Sequence, residues 1–135
     1  MSEKQLRTLR ELQAEAFKTA VDQGWWDDQM VDTMEDGSRV VTYEVSPKLV
    51  EETIPEKLAL IHSEVSEALE DYRNGKMVTT LRADGKPEGF PSELVDIIIR
   101  VFDLAGALKH DLQDEIEKKM AYNKTRTRRH GGKRC

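Results

Sequence analysis

Two acidic pairs, Glu64-x-x-Glu67 and Glu93-x-x-Asp96, stand inside helix-like apolar segments where charge is expensive to bury. Residues at i and i+3 lie on adjacent turns of one helix face, so the carboxylates of each pair can reach one ion or two closely spaced ions. Neither pair has a histidine or cysteine beside it at a ligand spacing. An all-oxygen donor set selects hard cations, and Mg²⁺ fits it best, with Mn²⁺ as a substitute. Mg²⁺ usually keeps waters and takes further ligands from phosphates, so the chemistry this pattern points to is phosphate chemistry.

The surroundings of the pairs strengthen the expectation. Winding residues 92–108 as a helix puts Glu93, Asp96, Arg100 and Asp103 on one narrow strip, while Leu94, Ile97, Ile98, Val101, Leu104, Ala105 and Leu108 cover the other side. In the preceding helix Ile61, Val65, Ala68, Leu69 and Tyr72 form an apolar face, with Glu64, Glu67 and Asp71 along its edge. Two antiparallel helices of this kind bring four carboxylates to one point. Two alternatives stand beside this one. The acids can be solvated helix edges partnered by lysine and arginine, and Arg100 can form a structural ion pair with Glu93, Asp96 or Asp103.

A cationic strip follows near the C-terminus. Lys119, Tyr122, Asn123 and Arg126 are spaced i, i+3, i+4 and i+7 and share one helix side suited to phosphate oxygens, or simply to solvation of a basic helix end. Arg128, Arg129, His130 and Lys133 continue the positive charge. Trp25 and Trp26 are the only tryptophans; such residues more often pack in a core than stack on a base. His62 and His110 have neither ligand spacing nor a nucleophile partner, and no glycine-rich phosphate loop is present.

The elements that must position these groups are helical. A first helix is expected over 3–22, stopped by Gly24, then a loop over 25–52 with a short strand or hairpin around Arg39–Val45. Thr53, Pro55 and Glu56 resemble the start of a second helix running to Arg73, closed by Asn74-Gly75. Residues 76–89 read as a connection. A third helix opens at Pro91 and runs to Lys109; a fourth follows the turn at His110-Asp111 and runs to Thr127.

With 135 residues, 35% of them charged and 6% aromatic, the chain is expected to be one all-α domain, residues 1–135, with 128–135 a flexible basic tail. Residues 118–135 hold eight Lys and Arg and no acid, leaving 13 cations against 26 acids in the rest. An acidic body makes general nucleic-acid binding the weaker use of the tail. The single Cys135 excludes an intramolecular disulfide framework, which favours the cytoplasm, and no segment has the composition of a membrane span. More apolar surface on the third helix than its neighbours can cover implies a subunit interface.

The two acidic pairs, followed by Lys119-x-x-Tyr-Asn-x-x-Arg126 and Arg129-His-Gly-Gly-Lys133, resemble the MazG-like nucleotide pyrophosphohydrolases over roughly residues 54–134. The resemblance implies a four-helix Mg²⁺ enzyme, a homodimer or homotetramer, that hydrolyses (deoxy)nucleoside triphosphates to monophosphate and pyrophosphate. It makes Glu64, Glu67, Glu93 and Asp96 metal ligands, with Glu64 or Glu67 handling the attacking water. Lys119, Asn123 and Arg126, with Tyr122 beside them, become phosphate contacts, and Trp25 or Trp26 a base-stacking surface. Ser63 stands where many relatives carry a further glutamate, which leaves the number of ions open. Within the same class another nucleotide, such as phosphoribosyl-ATP, is the alternative substrate; outside it, a non-catalytic helical module binding protein or nucleic acid.

Overall fold

The computed structural model describes residues 4–41, 47–128, 132 and 134, with backbone alone for 29–33, 41 and 49. It is all-α apart from two short hairpins, in the order α1 (Leu9–Asp22), α2 (Asp27–Met30), β1 (Val31–Thr33), β2 (Arg39–Val41), α3 (Pro47–Arg73), β3 (Thr80–Leu81), β4 (Pro87–Glu88), α4 (Phe90–Ala107) and α5 (Leu112–Thr125). The tail residues Arg129, His130, Gly131, Lys133 and Cys135, and residues 42–46 of the expected loop, lie outside the described residues.

Helix α1 begins six residues later than its leucine spacing suggested, because Thr8 and Glu11 form a capping box: each side chain bonds the other residue's backbone amide. Helix α3 begins earlier than expected. Thr53 and Pro55 do not open it; the helix starts at Pro47, whose missing amide costs nothing at a first position, and Pro55 lies inside. Thr53 Oγ1 instead donates to the carbonyl of Val50 within the helix.

Helices α1, α3 and α4 end alike. Each closes with the amide two residues past its cap bonded back to a carbonyl five residues earlier: Trp25 to Ala20, Lys76 to Asp71 and His110 to Ala105. The residue before each of these donors is left-handed: Gly24, Gly75 and, unusually for a side-chain-bearing residue, Lys109. The first turn directs Trp26 inward, where it is fully buried against Val50 and Ala107, with Phe17, Ala20, Val21 and Leu108 around it.

Helix α4 is central, with α3 along one side and α1 along another. Gly106 lets α1 approach, since a Cβ there would meet the Phe17 side chain at 2.7 Å. Residues 76–89 are not an open connection but carry the antiparallel β3–β4 hairpin, in register Thr80↔Glu88 and Leu81↔Pro87. Gly89 joins that hairpin to α4 at φ +113, in contact with the Val78 carbonyl at a point no Cβ could enter.

Helix α5 is the least buried of the long helices. It is held at its first turn: Arg10 pairs with Asp111, the Arg10 amide donates to Gln113, and buried Gln13 accepts from the Leu112 amide while donating to the His110 carbonyl. No residue of α5 is buried. Among the described residues the core is built by α1, α3, α4 and the inserted Trp26, and α5 is tethered to α1.

Candidate metal centre and adjoining cavity

The contacts between α3 and α4 run in opposite directions along the two helices: Lys57 acts on Asp103, Glu64 on Arg100 and Asp96, and Glu67 and Asp71 on Glu93. The pair is antiparallel. Its inner α3 face comprises Val50, Ile54, Lys57, Ile61, Glu64, Ala68 and Asp71, buried or half-buried at helical spacing. The expected apolar face is thus corrected: Val65, Leu69 and Tyr72 point outward and are 47–62% exposed, while Glu64 occupies the middle of the packed face and is itself buried. The apolar residues lost the inner position because α4 brings Arg100 opposite Glu64.

Glu64, Glu67 and Glu93 each offer a carboxylate oxygen within 4.8 Å of the others. Glu93 is contributed from the first turn of α4, which the Gly89 junction aims at α3. Its Oε2 is buried without a hydrogen-bond partner among the described residues. Desolvation, then repulsion from Glu67 and Asp96, pushes the Glu93 carboxyl up to about 7. Asp96, half-buried, is also raised, by desolvation and by Glu64, against the pull of Lys86 and Arg100. It flanks the triad rather than joining it.

Arg100 Nε donates to Glu64 Oε1 at 2.5 Å. Of the ion pairs open to Arg100 on its own strip, none forms; the partner is Glu64, across the helix pair. One oxygen of Glu64 is thereby engaged and the carboxylate is held in place. The donor set suits a hard cation: three clustered carboxylates, one orphaned buried oxygen and no sulfur or imidazole.

A cavity of about 710 Å³ adjoins this cluster, bounded by α1, α3 and α4. Glu64, Asp96 and Arg100 line one part of it, and Lys57, Trp25 and Asp103 another. Trp26 does not reach it. The indole is fully buried, edge-on to Phe17 at 6.1 Å, with Lys57 Nζ 4.2 Å from its ring centre and its Nε1 donating to Asp103 Oδ1 at 2.6 Å. A base cannot stack on a ring so enclosed, and the stacking expectation survives for exposed Trp25 alone.

Lys119, Tyr122, Asn123 and Arg126 share one exposed face of α5, where Lys119 and Arg126 flank the Tyr122 ring at 6.0 and 5.8 Å. Helix α5 packs chiefly on α1, and neither Lys119 nor Arg126 is among the groups that act on the Glu93 or Asp96 carboxyls. The cations that do act on the acidic groups are Arg100, Lys86 and Lys57. Lys86 escaped sequence reasoning because its hairpin read as a plain connection. Lys57 was legible seven residues before Glu64, the spacing of one face over two turns. Among known proteins, the chain matches no family model, no curated relative and no solved structure.

Proposed function

We propose that the protein is a cytoplasmic, Mg²⁺-dependent pyrophosphohydrolase of nucleoside triphosphates, with Mn²⁺ able to substitute, in keeping with its resemblance to the MazG-like family. The observation that carries this reading is the convergence of Glu64, Glu67 and Glu93 around a buried carboxylate oxygen that has no hydrogen-bond partner among the described residues. Bound Mg²⁺ supplies a Lewis acid for phosphate oxygens and an acidified water. Glu64, Glu67 and Glu93 would hold the ion, with the Asp96 carboxylate beside them as a further acceptor. Arg100 keeps Glu64 in position. Glu67, the most exposed of the three, takes the proton of the attacking water on its carboxylate. Lys86 offsets charge on the departing phosphates, near Asp96.

The Lys119, Asn123 and Arg126 strip then serves phosphate binding from a second copy of the chain. The outward apolar side chains of α3 and α4, among them Leu58, Val65, Leu69, Leu94 and Val101, provide the surface on which that copy docks.

The test measures pyrophosphate release from a panel of ribo- and deoxyribonucleoside triphosphates with Mg²⁺. Glu67→Gln is expected to lower kcat/KM about 100-fold or more, the scale of a positioned base. Full turnover in that variant, or no Mg²⁺ binding by calorimetry to the native protein, would overturn the reading.

A further inference from the structure

The cavity beside the triad has a polar floor that the metal chemistry does not use. Asp103 is partly buried and presents its carboxylate there, with Oδ1 held by the buried Trp26 indole and Oδ2 given no hydrogen-bond partner among the described residues. Ala16, Ala20, Ile99 and Phe102 supply apolar walls, and exposed Trp25 a flat aromatic surface at the rim. A volume near 710 Å³ lies within the range of small-molecule sites and holds a group the size of a nucleoside. Apolar walls beside an acceptor anchored by the indole, with Thr19 and Gln23 among the other polar groups of the lining, fit a planar heterocycle that carries a hydrogen-bond donor on its edge.

We infer that Asp103 is a specificity-determining residue that selects nucleobases bearing an exocyclic amine, with Trp25 stacking on the base. This deepens the pyrophosphohydrolase reading and rests on it for the triphosphate, which would extend from the cavity to the triad past Asp96 and Glu64. The selection follows from the bases' edges. The amine of cytosine, adenine or guanine projects outward and can donate to Asp103 without a carbonyl on each side of it. In uracil and thymine the ring N–H is flanked by two carbonyl oxygens, and bringing it to a carboxylate forces both towards negative charge. Lys57, beside Asp103, can answer one of them. A site built to accept from a donor discriminates strongly against ligands that leave it unpaired or repelled.

The test uses the full-length protein without metal and nucleosides without phosphate, so that neither the triad nor α5 contributes. The two indole N–H resonances are followed by NMR, since Trp26 reports on Asp103 directly and Trp25 on stacking. Deoxycytidine is expected to shift both signals and to bind about tenfold or more tightly than thymidine, a single hydrogen bond's worth of discrimination. Asp103→Asn is expected to bring the two nucleosides within about twofold, because an amide both donates and accepts. Equal binding of deoxycytidine and thymidine by the native protein, no shift with any nucleoside at millimolar concentration, or an undiminished preference in Asp103→Asn would overturn the inference. Asp103→Glu keeps the carboxylate and is the check on folding: retained preference there with loss in Asp103→Asn separates recognition from mere support of Trp26. If the nucleoside preference holds while Mg²⁺ fails to bind, the pocket stands and the pyrophosphohydrolase reading falls; if Mg²⁺-dependent turnover holds without the preference, the reverse follows.

Discussion

The two ends of the α3–α4 pair solve the same problem in opposite ways. At one end a partly buried aspartate is tolerated because Trp26 donates to Asp103 Oδ1 and Lys57 lies over the indole. At the other, Glu64, Glu67 and Glu93 crowd together and only Glu64 has a cation bonded to it. Like charges gathered in a half-buried site oppose folding unless a ligand answers them. The first end contributes stability through its buried ring and the indole hydrogen bond, although burial still raises the Asp103 carboxyl. The second has no such packing to set against its unfavourable electrostatics, which a bound cation would relieve. Removal of the buried Trp26 ring at one end and of the Glu93 charge at the other should therefore act with opposite sign.

The largest effect is expected at the closed end. Trp26→Ala removes a fully buried ring, opens a cavity beside Phe17 and leaves Asp103 without its donor, for a loss of about 3–5 kcal/mol in denaturant unfolding. A loss below about 1 kcal/mol would show that this end is not the stabilising one.

At the open end Glu93→Gln should raise, not lower, the melting temperature of the metal-free protein at pH 8, on the order of a few degrees. The pH dependence fixes the sign. The Glu93 carboxyl has an ordinary value of 4.5 and is pushed up to about 7 in the fold. Its contribution to stability is full below 4.5 and lost as the pH rises through 7, since the folded protein binds the proton more tightly than the unfolded chain does. Asp96 and Asp103 are raised as well and act in the same sense. Asp36, Asp84 and Asp111 are lowered by their hydrogen bonds and act oppositely, below their ordinary value of 3.8. Thermal melts without metal should thus fall from pH 5 to pH 7.5 in the native chain and less steeply in Glu93→Gln. Mg²⁺ at pH 7.5 should recover the loss in the native chain alone, and a native melt that Mg²⁺ leaves unmoved would remove the contrast between the ends.

This opposition explains what was and was not legible in the sequence. The acidic pairs stood out because they sit at helical spacing in apolar runs, and the antiparallel helices that join them followed from the same periodicity. Which face of α3 turns inward was not legible. Val65, Leu69 and Tyr72 make the better apolar stripe, yet the ion pair between Glu64 and Arg100 and the small Ala68 set the packing instead. Trp26 and Asp103 were also obscure, since their meeting depends on the left-handed turn at Gly24 and on contacts 77 residues apart. The tether of α5 is of the same kind: Gln13 and Arg10 give no sequence signal that they will seize the start of a helix about a hundred positions later.

The smallest effect on stability is expected from that tethered helix, and it sharpens the comparison by asking whose cations answer the open end. Lys119→Ala combined with Arg126→Ala removes two exposed side chains from a helix with no buried residue, so unfolding free energy should change by no more than about 0.5 kcal/mol. Turnover is where the double variant should register, with kcat/KM for a triphosphate lowered about tenfold through loss of charge-assisted contacts. Mixing decides the source of those contacts. Glu67→Gln copies retain the cationic strip and lack the base, whereas the double variant retains the acids and lacks the strip. If a second copy supplies the strip, mixed assemblies contain sites with acids from one chain and cations from the other, and activity should return on mixing. No recovery in a mixture shown by mass spectrometry to exchange subunits would place the phosphate-binding charge within one copy, on Arg100, Lys86 and Lys57, and would leave the basic face of α5 as a solvated surface.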